Sequence, residues 1–274
     1  MPASLDSIVA ATRHRLSQRI SGDRHNSALH VLECEAAGHA PRGFREQLRR
    51  AARDGIAFAI IAELKKASPS KGLIRADFNP SGLARDLEQA GAAALSVLTD
   101  EHFFQGSLDN LREASSNSSL PCLRKDFIVD EFQIVEARAN GADAVLLIVA
   151  ALAQKELVSL AAAARSQSLD VLCEAHDEEE IRRALDAGCD LIGINSRNLQ
   201  TFEVNLETAF RLAEKVASAC VRVAESGIQS GADIARLRSA GYEAFLIGES
   251  LMKAAHPGEA LAKLMEEARM AASK

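Results

Sequence analysis

From residue 58 onward the chain alternates eight apolar runs of strand length with helix-length amphipathic stretches, and no other feature restricts its fold so strongly. The runs cover 58–64, 93–98, 121–123 with its continuation, 143–149, 169–173, 191–195, 221–224 and 244–247. Helical spacing of apolar residues fills the gaps at 79–90, 107–114, 130–140, 153–167, 177–187, 206–219, 231–240 and 257–272. Strands that alternate with helices imply right-handed βαβ units and a parallel sheet covered on both faces, which explains why the runs are almost continuously apolar. A second regularity agrees. Gly91, Gly141, Gly188 and Gly241 each close a helical stretch just before a strand, where glycine suits the left-handed position that ends a helix. They recur about every fifty residues, so each repeat holds two strands and two helices. Eight such units in about 215 residues favour a closed barrel over an open doubly wound sheet. The expected fold class is therefore α/β, a (β/α)8 TIM barrel with an extra N-terminal helical segment.

That N-terminal segment reads differently. Leu5, Ile8, Val9, Leu16 and Ile20 recur near helical spacing, Phe44 and Leu48 begin a second such stretch, and 25–41 between them has no clear period. So short a piece could hardly hold a core alone, so the segment is expected to pack on the barrel. The division predicted is 1–54 for the helical extension and 55–274 for the barrel, one structural domain overall. The arginines between Arg42 and Arg53 form the only basic cluster, and on a helix they are expected to make a solvated face.

Charge and composition narrow the partners. The net charge is −6, there is no Trp, and Tyr242 is the single tyrosine, so neither a basic surface nor a stacking platform supports nucleic-acid binding. No apolar run approaches the roughly 18 residues of a membrane span, and the first residues lack a basic region followed by an apolar one. The expected address is the cytoplasm, with no membrane partner. Five scattered cysteines, Cys34, Cys122, Cys173, Cys189 and Cys220, include no C-x-x-C, and are expected as buried small hydrophobes in a reducing compartment.

In a barrel of this kind the active site forms at the C-terminal ends of the strands. Period-2 alternation puts Ile61, Glu63 and Lys65 on one face of the first strand, an acid and a base side by side. The loop Ser68-Pro69-Ser70-Lys71-Gly72 that follows cannot extend that strand, and its composition suggests a mobile gate over 67–72. The remaining strand ends supply Asp100, Lys125, Glu174 with His176, Asn195 with Arg197, Glu225, and Glu249. Carboxylates and ammonium groups crowded into one mouth shift each other's pKa values, and so provide an acid and a base near neutral pH.

Two glycine turns describe a ligand. Ser226-Gly227 and Gly248-Glu249 leave backbone N–H groups free to approach an anion, in the place where many barrels bind phosphate. Sugar phosphates are then the natural substrate class. No metal is expected: Glu174 and His176 share a face, but no second histidine lies at ligand spacing nearby. His176 is expected to lead into the next helix, with Asp177 as its N-cap and Glu180 at N3.

The motifs at these strand ends resemble one family, indole-3-glycerol-phosphate synthase. They are residues 61–72 (IAELKKASPSKG), 96–100 (SVLTD) with 103–107 (FFQGS), 123–128 (LRKDFI), 193–199 (GINSRNL), 224–228 (AESGI) and 246–252 (LIGESLM). The resemblance spans the whole barrel, and related phosphate-binding barrels share only its last two turns. It implies closure of 1-(2-carboxyphenylamino)-1-deoxyribulose 5-phosphate to indole-3-glycerol phosphate, losing CO2 and water, without metal or organic cofactor. It also implies roles. Lys125 matches a general acid at the ketone oxygen, Glu174 and Glu63 match carboxylates that assist proton removal and dehydration, and Lys65 matches a second acid near the phosphate. Asn195 and Arg197 match residues that orient the substrate, and Ser68, Ser226, Gly227, Gly248 and Glu249 match the phosphate cradle. Phe104, Phe127, Leu146, Leu199 and Ile247 would then form an apolar slot for the anthranilate ring. An extra helical segment over the mouth also belongs to the family pattern. The expected partner is this anthranilate-derived sugar phosphate alone, with no obligatory protein partner.

Two rivals fit less well. Phosphoribosylanthranilate isomerases carry Cys on the first strand and Asp on the sixth, where this chain has Glu63 and Asn195. A non-catalytic barrel that only bound a sugar phosphate would have no need for two acids facing Lys125.

Overall fold

The computed structural model describes residues 4–20, 24–53 and 58–273. Eight parallel strands close into a barrel in sequence order: β1 (Ala59–Leu64), β2 (Ala94–Leu98), β3 (Cys122–Lys125), β4 (Ala144–Ile148), β5 (Asp170–Ala175), β6 (Leu191–Asn195), β7 (Val221–Glu225) and β8 (Ala244–Ile247). β8 pairs back onto β1, with Ala62 opposite Ile247. Helices follow the strands, each predicted one lying within about two residues of expectation except at 206–219. There a helix at Glu207–Leu212 tightens into a 3-10 turn and ends as Val216 turns extended.

Strand alternation sorts the apolar residues into two layers. Ile60, Ala62, Leu64, Val97, Leu147 and Ile194 face outward into the helices. Ala59, Ile61, Leu123, Leu146, Leu172, Leu191, Val223 and Leu246 fill the barrel itself. Several inner rows turn from apolar to polar at the C-terminal end, as Ile61 leads to Glu63, Leu123 to Lys125, Leu172 to Glu174 and Val223 to Glu225. The chemistry is thereby lifted to the C-terminal mouth.

Among the described residues three helices precede the barrel: α1 (Leu5–Arg19), α2 (Arg24–Ala37) and α3 (Phe44–Arg53). α3 plugs the N-terminal end, where its fully buried Phe44 and Leu48 join the inner layer. The arginines of 42–53 make a solvated face only in part: Arg50 and Arg53 are exposed, but three others are engaged. Arg42 clamps the buried Asp143, Arg45 pairs with Asp190, and Arg49 donates to the Ala219 carbonyl. The stretch 25–41, which has no apolar period, nevertheless holds most of α2, packed along the helix Glu131–Ala139. Contacts with a neighbouring helix decided that element where amphipathic pattern gave no signal.

Smaller differences follow the same logic. Ala67–Ser68 and Gly72–Leu73 pair in a short antiparallel ladder, with Gly72 at φ 64° making the turn. Four of the cysteines are buried, but Cys34 on α2 is exposed. Among the described residues, no helix is long and apolar enough to cross a membrane.

Candidate active site

The C-terminal mouth opens into a cavity of about 720 Å³. The residues that the family resemblance assigned to catalysis or substrate binding all border it: Glu63, Lys65, Ser68, Phe104, Lys125, Phe127, Leu146, Glu174, Asn195, Arg197, Leu199, Ser226, Gly227, Ile247, Gly248 and Glu249. Of the other strand-end candidates Glu225 borders it too, but Asp100 and His176 do not; Asp100 caps a short helix and pairs with Arg15. The sequence did not mark out Leu5 and Ile8, which α1 brings over the same cavity, or the inward-facing Leu246. Ile247 belongs to the outer layer yet still borders the cavity.

Lys125 is the centre. Its Nζ donates to Glu174 Oε2 and to Glu225 Oε2, both at 3.1 Å. Beside this trio, Lys65 Nζ donates to Glu63 Oε1. Burial would lower the pKa of Lys125, but the charges of Glu225, Glu174 and Glu63 outweigh it and raise the ammonium well above an ordinary lysine. Lys125 therefore enters any reaction fully charged.

The two carboxylates it joins behave oppositely. Burial pushes the Glu174 carboxyl up, yet Lys125, His176 and the Asn195 amide together hold it down at about 2. For Glu225, burial dominates, Lys125 only partly offsets it, and the neighbouring Glu174 and Glu63 charges add to the rise, to about 7. One anion and one readily protonated acid thus flank a single ammonium.

Glu225 carries a second mark. Its Oε1 is buried with no hydrogen-bond partner among the described residues. Its position was legible, because it follows Val223 on the inner row of β7. What the strand-end reading lacked was any sign that it meets Lys125. Glycines make the room: a Cβ at Gly193 would collide with Glu225 Oε1, and one at Gly248 with Glu63.

Around this polar floor stand the walls. The Phe104 and Phe127 rings pack 6.2 Å apart at 40°, with Leu146 and Leu199 on the same cavity. Arg197 is fixed by donating its Nη1 to the Phe202 carbonyl at 3.1 Å, and its backbone N–H to Asn195 Oδ1 at 3.0 Å. Its Nη2 lies 3.6 Å from Glu249. Ser226 (φ 63°) and Gly227 (φ 83°) are consecutive left-handed residues that turn the chain sharply at the end of β7. For serine that conformation costs about 1 kcal/mol or more, a strain that sites tolerate when it aims backbone groups at a ligand.

A family model described as indole-3-glycerol phosphate synthase matches residues 5–264. The chain belongs to the indole-3-glycerol phosphate synthase family. Relatives agree: the indole-3-glycerol phosphate synthase of Koribacter versatilis is 56% identical over 97% of this chain and 100% of its own. That of Polaromonas naphthalenivorans is 53% identical over 76% of this chain and 80% of its own. Solved structures extend the likeness in fold alone. A mandelate oxidase variant superposes with a TM-score of 0.61 at 18% identity, covering 95% of this chain and 93% of that one. Thiamine phosphate pyrophosphorylase from Pyrococcus furiosus gives 0.58 at 16% identity, covering 78% and 96%. Within the synthase family, the first and third motifs read from the sequence here bring Glu63, Lys65 and Lys125 to one mouth.

Proposed function

We propose that this indole-3-glycerol phosphate synthase closes 1-(2-carboxyphenylamino)-1-deoxyribulose 5-phosphate to indole-3-glycerol phosphate around Lys125, releasing CO2 and water. The observation that carries this placement is one buried ammonium held between two carboxylates of opposite pKa shift, beside an aromatic slot. The chemistry asks for those parts. Attack of the aromatic carbon on the ketone builds negative charge on oxygen, and Lys125, charged and desolvated, donates the proton there. Loss of CO2 restores the aromatic ring. Dehydration then needs a second acid for the departing hydroxyl, supplied by Lys65 beside Glu63. It also needs a base for the methylene proton, supplied by Glu174, with Glu63 assisting.

Binding follows from the walls. The anthranilate ring lies in the slot of Phe104, Phe127, Leu146 and Leu199, under Leu5 and Ile8. The phosphate sits against Ser68 and the turns at Ser226-Gly227 and Gly248-Glu249, where backbone N–H groups face an anion. Asn195 and Arg197 orient the chain between them. The addition, the decarboxylation and the dehydration each call on the protein for proton transfer and charge stabilisation, which the side chains named supply. Five free thiols suit the cytoplasm, and a small-molecule substrate is the only partner the reading requires.

The test is product formation with EDTA present. Indole absorbance should rise in step with released CO2, one for one. Indole without CO2, or neither from folded protein that binds the substrate, would contradict the reading.

A further inference from the structure

Ring closure consumes a proton. Two protons are given, to the ketone oxygen and to the departing hydroxyl, and one is taken from the methylene carbon. Each turnover must therefore draw one proton from solution into a floor where Lys125 and Glu174 are buried beneath the substrate.

The structure offers a donor behind Glu174. His176 continues the inward row Leu172, Glu174, and its Nε2 lies 3.5 Å from Glu174 Oε1. That is beyond a formed hydrogen bond, and among the described residues this buried nitrogen has no such partner. On the other side of the ring, Nδ1 is 3.0 Å from Glu180 Oε2, which also accepts the His176 backbone N–H at 2.8 Å. Asp177 caps the helix as expected, accepting from the Glu180 N–H at 2.8 Å. The Glu180 side chain, however, is turned back onto the histidine.

We propose that His176, oriented by Glu180, is a reserve proton donor that recharges Lys125 through Glu174 in each turnover. This rests on the reaction assigned above and deepens it. The step balances: once Lys125 has protonated the ketone oxygen, the charged ring gives its Nε2 proton to anionic Glu174, and the acid so formed turns that same proton to neutral Lys125 Nζ and is an anion again. The methylene proton that Glu174 takes later replaces the one Lys65 gave. The now neutral ring regains a proton on Nε2 from solvent once product leaves. Glu180 keeps the Nδ1 proton throughout, so a single nitrogen does the exchange.

The electrostatics favour this order. The groups facing the ring are Glu174 on its own strand, Glu180 on the following helix and Glu225 on β7. Burial disfavours the charged ring, but these three carboxylates outweigh it and raise its pKa above that of a free imidazole. Glu174 is held anionic chiefly by Lys125. Once Lys125 has given up its proton, that hold is lost and Glu174 becomes able to take the proton from His176.

The test compares wild type, His176→Ala and Glu180→Gln at saturating substrate across neutral pH, in H2O and D2O, with and without added imidazole. Thermal melts check the fold. His176→Ala should lose at least about tenfold in kcat with KM little changed, and imidazole should restore part of it. A raised folded pKa means the ring is charged below that value and loses its proton as pH rises through it. The wild-type kcat should therefore carry an alkaline limb that Glu180→Gln moves to lower pH. A His176→Ala enzyme as fast as wild type, or slow but unmoved by imidazole, overturns the proposal. If that variant does not fold, a Glu180→Gln profile identical to wild type overturns it equally. A wild type that forms no indole product would instead sink the assigned reaction.

Discussion

The two ends of the barrel bury the same kind of group to opposite effect. At the N-terminal end, Asp143 is fully buried and fully supplied. Arg42 Nε donates to both its oxygens at 3.0 and 3.1 Å, and the backbone N–H groups of Arg42 and Cys122 donate at 2.6 Å, with His39 at 3.2 Å. Phe44 and Leu48 close that end behind it. At the C-terminal end, Glu225 is 2% exposed and shares Lys125 with Glu174, while its second oxygen has no partner among the described residues. A buried carboxylate with every lone pair used fixes geometry. One left short keeps a raised pKa and a proton it can exchange, which is the property a site needs.

That contrast can be broken by mutation. The largest effect expected is at the mouth, where Glu174→Gln removes the base and should lower kcat by about 10³-fold without lowering the thermal midpoint. Indole fluorescence and a melt measure both, and an active variant would contradict the role. At the opposite end the outcome should invert. Arg42→Ala leaves Asp143 buried without its cation, which should cost about 3–5 kcal/mol in urea unfolding while kcat of the folded enzyme stays unchanged. A loss of activity at full stability there would erase the distinction.

A finer test uses pH. The Glu225 carboxyl is raised from 4.5 to about 7 in the folded state. A raised acid stabilises the fold below its unfolded value, and that contribution disappears as pH rises through its folded value. Relative to Glu225→Gln, wild type should lose thermal stability between pH 4.5 and about 7. Parallel melting curves for the two proteins would show that Glu225 is not strained by its surroundings. The smallest effect belongs to a pair at neither end. Arg13 and Glu156 meet at 2.9 Å with both side chains well exposed, so Arg13→Ala should change stability by no more than about 0.5 kcal/mol.

The barrel was legible because each strand carries its own address: an apolar run, a side-chain parity and a polar end. Those three signals placed Glu63, Lys125, Glu174 and Asn195 on one mouth before any coordinates. They could not show what meets across it. Lys125 and Glu225 lie 100 positions apart, and Arg42 and Asp143 lie 101 apart, so neither pairing leaves a local trace. The same limit hid α2, whose residues find their partners on a helix about a hundred positions onward. It also turned Arg42, Arg45 and Arg49 from part of an expected solvated face into anchors for the segment, while Arg50 and Arg53 stay exposed. His176 was read correctly as the approach to a helix. Its second task depends on a Glu180 side chain that folds back over the cap.

The most direct measurement is the initial rate of indole fluorescence on mixing the carboxyphenylamino-deoxyribulose phosphate with wild type and with Lys125→Met. The chain has no Trp, so its own background is low. A rising signal in wild type that falls by about 10³-fold or more in the variant, with substrate still bound, places the ring-closing acid at Lys125. A Lys125→Met enzyme that keeps the wild-type rate would contradict the account at its centre.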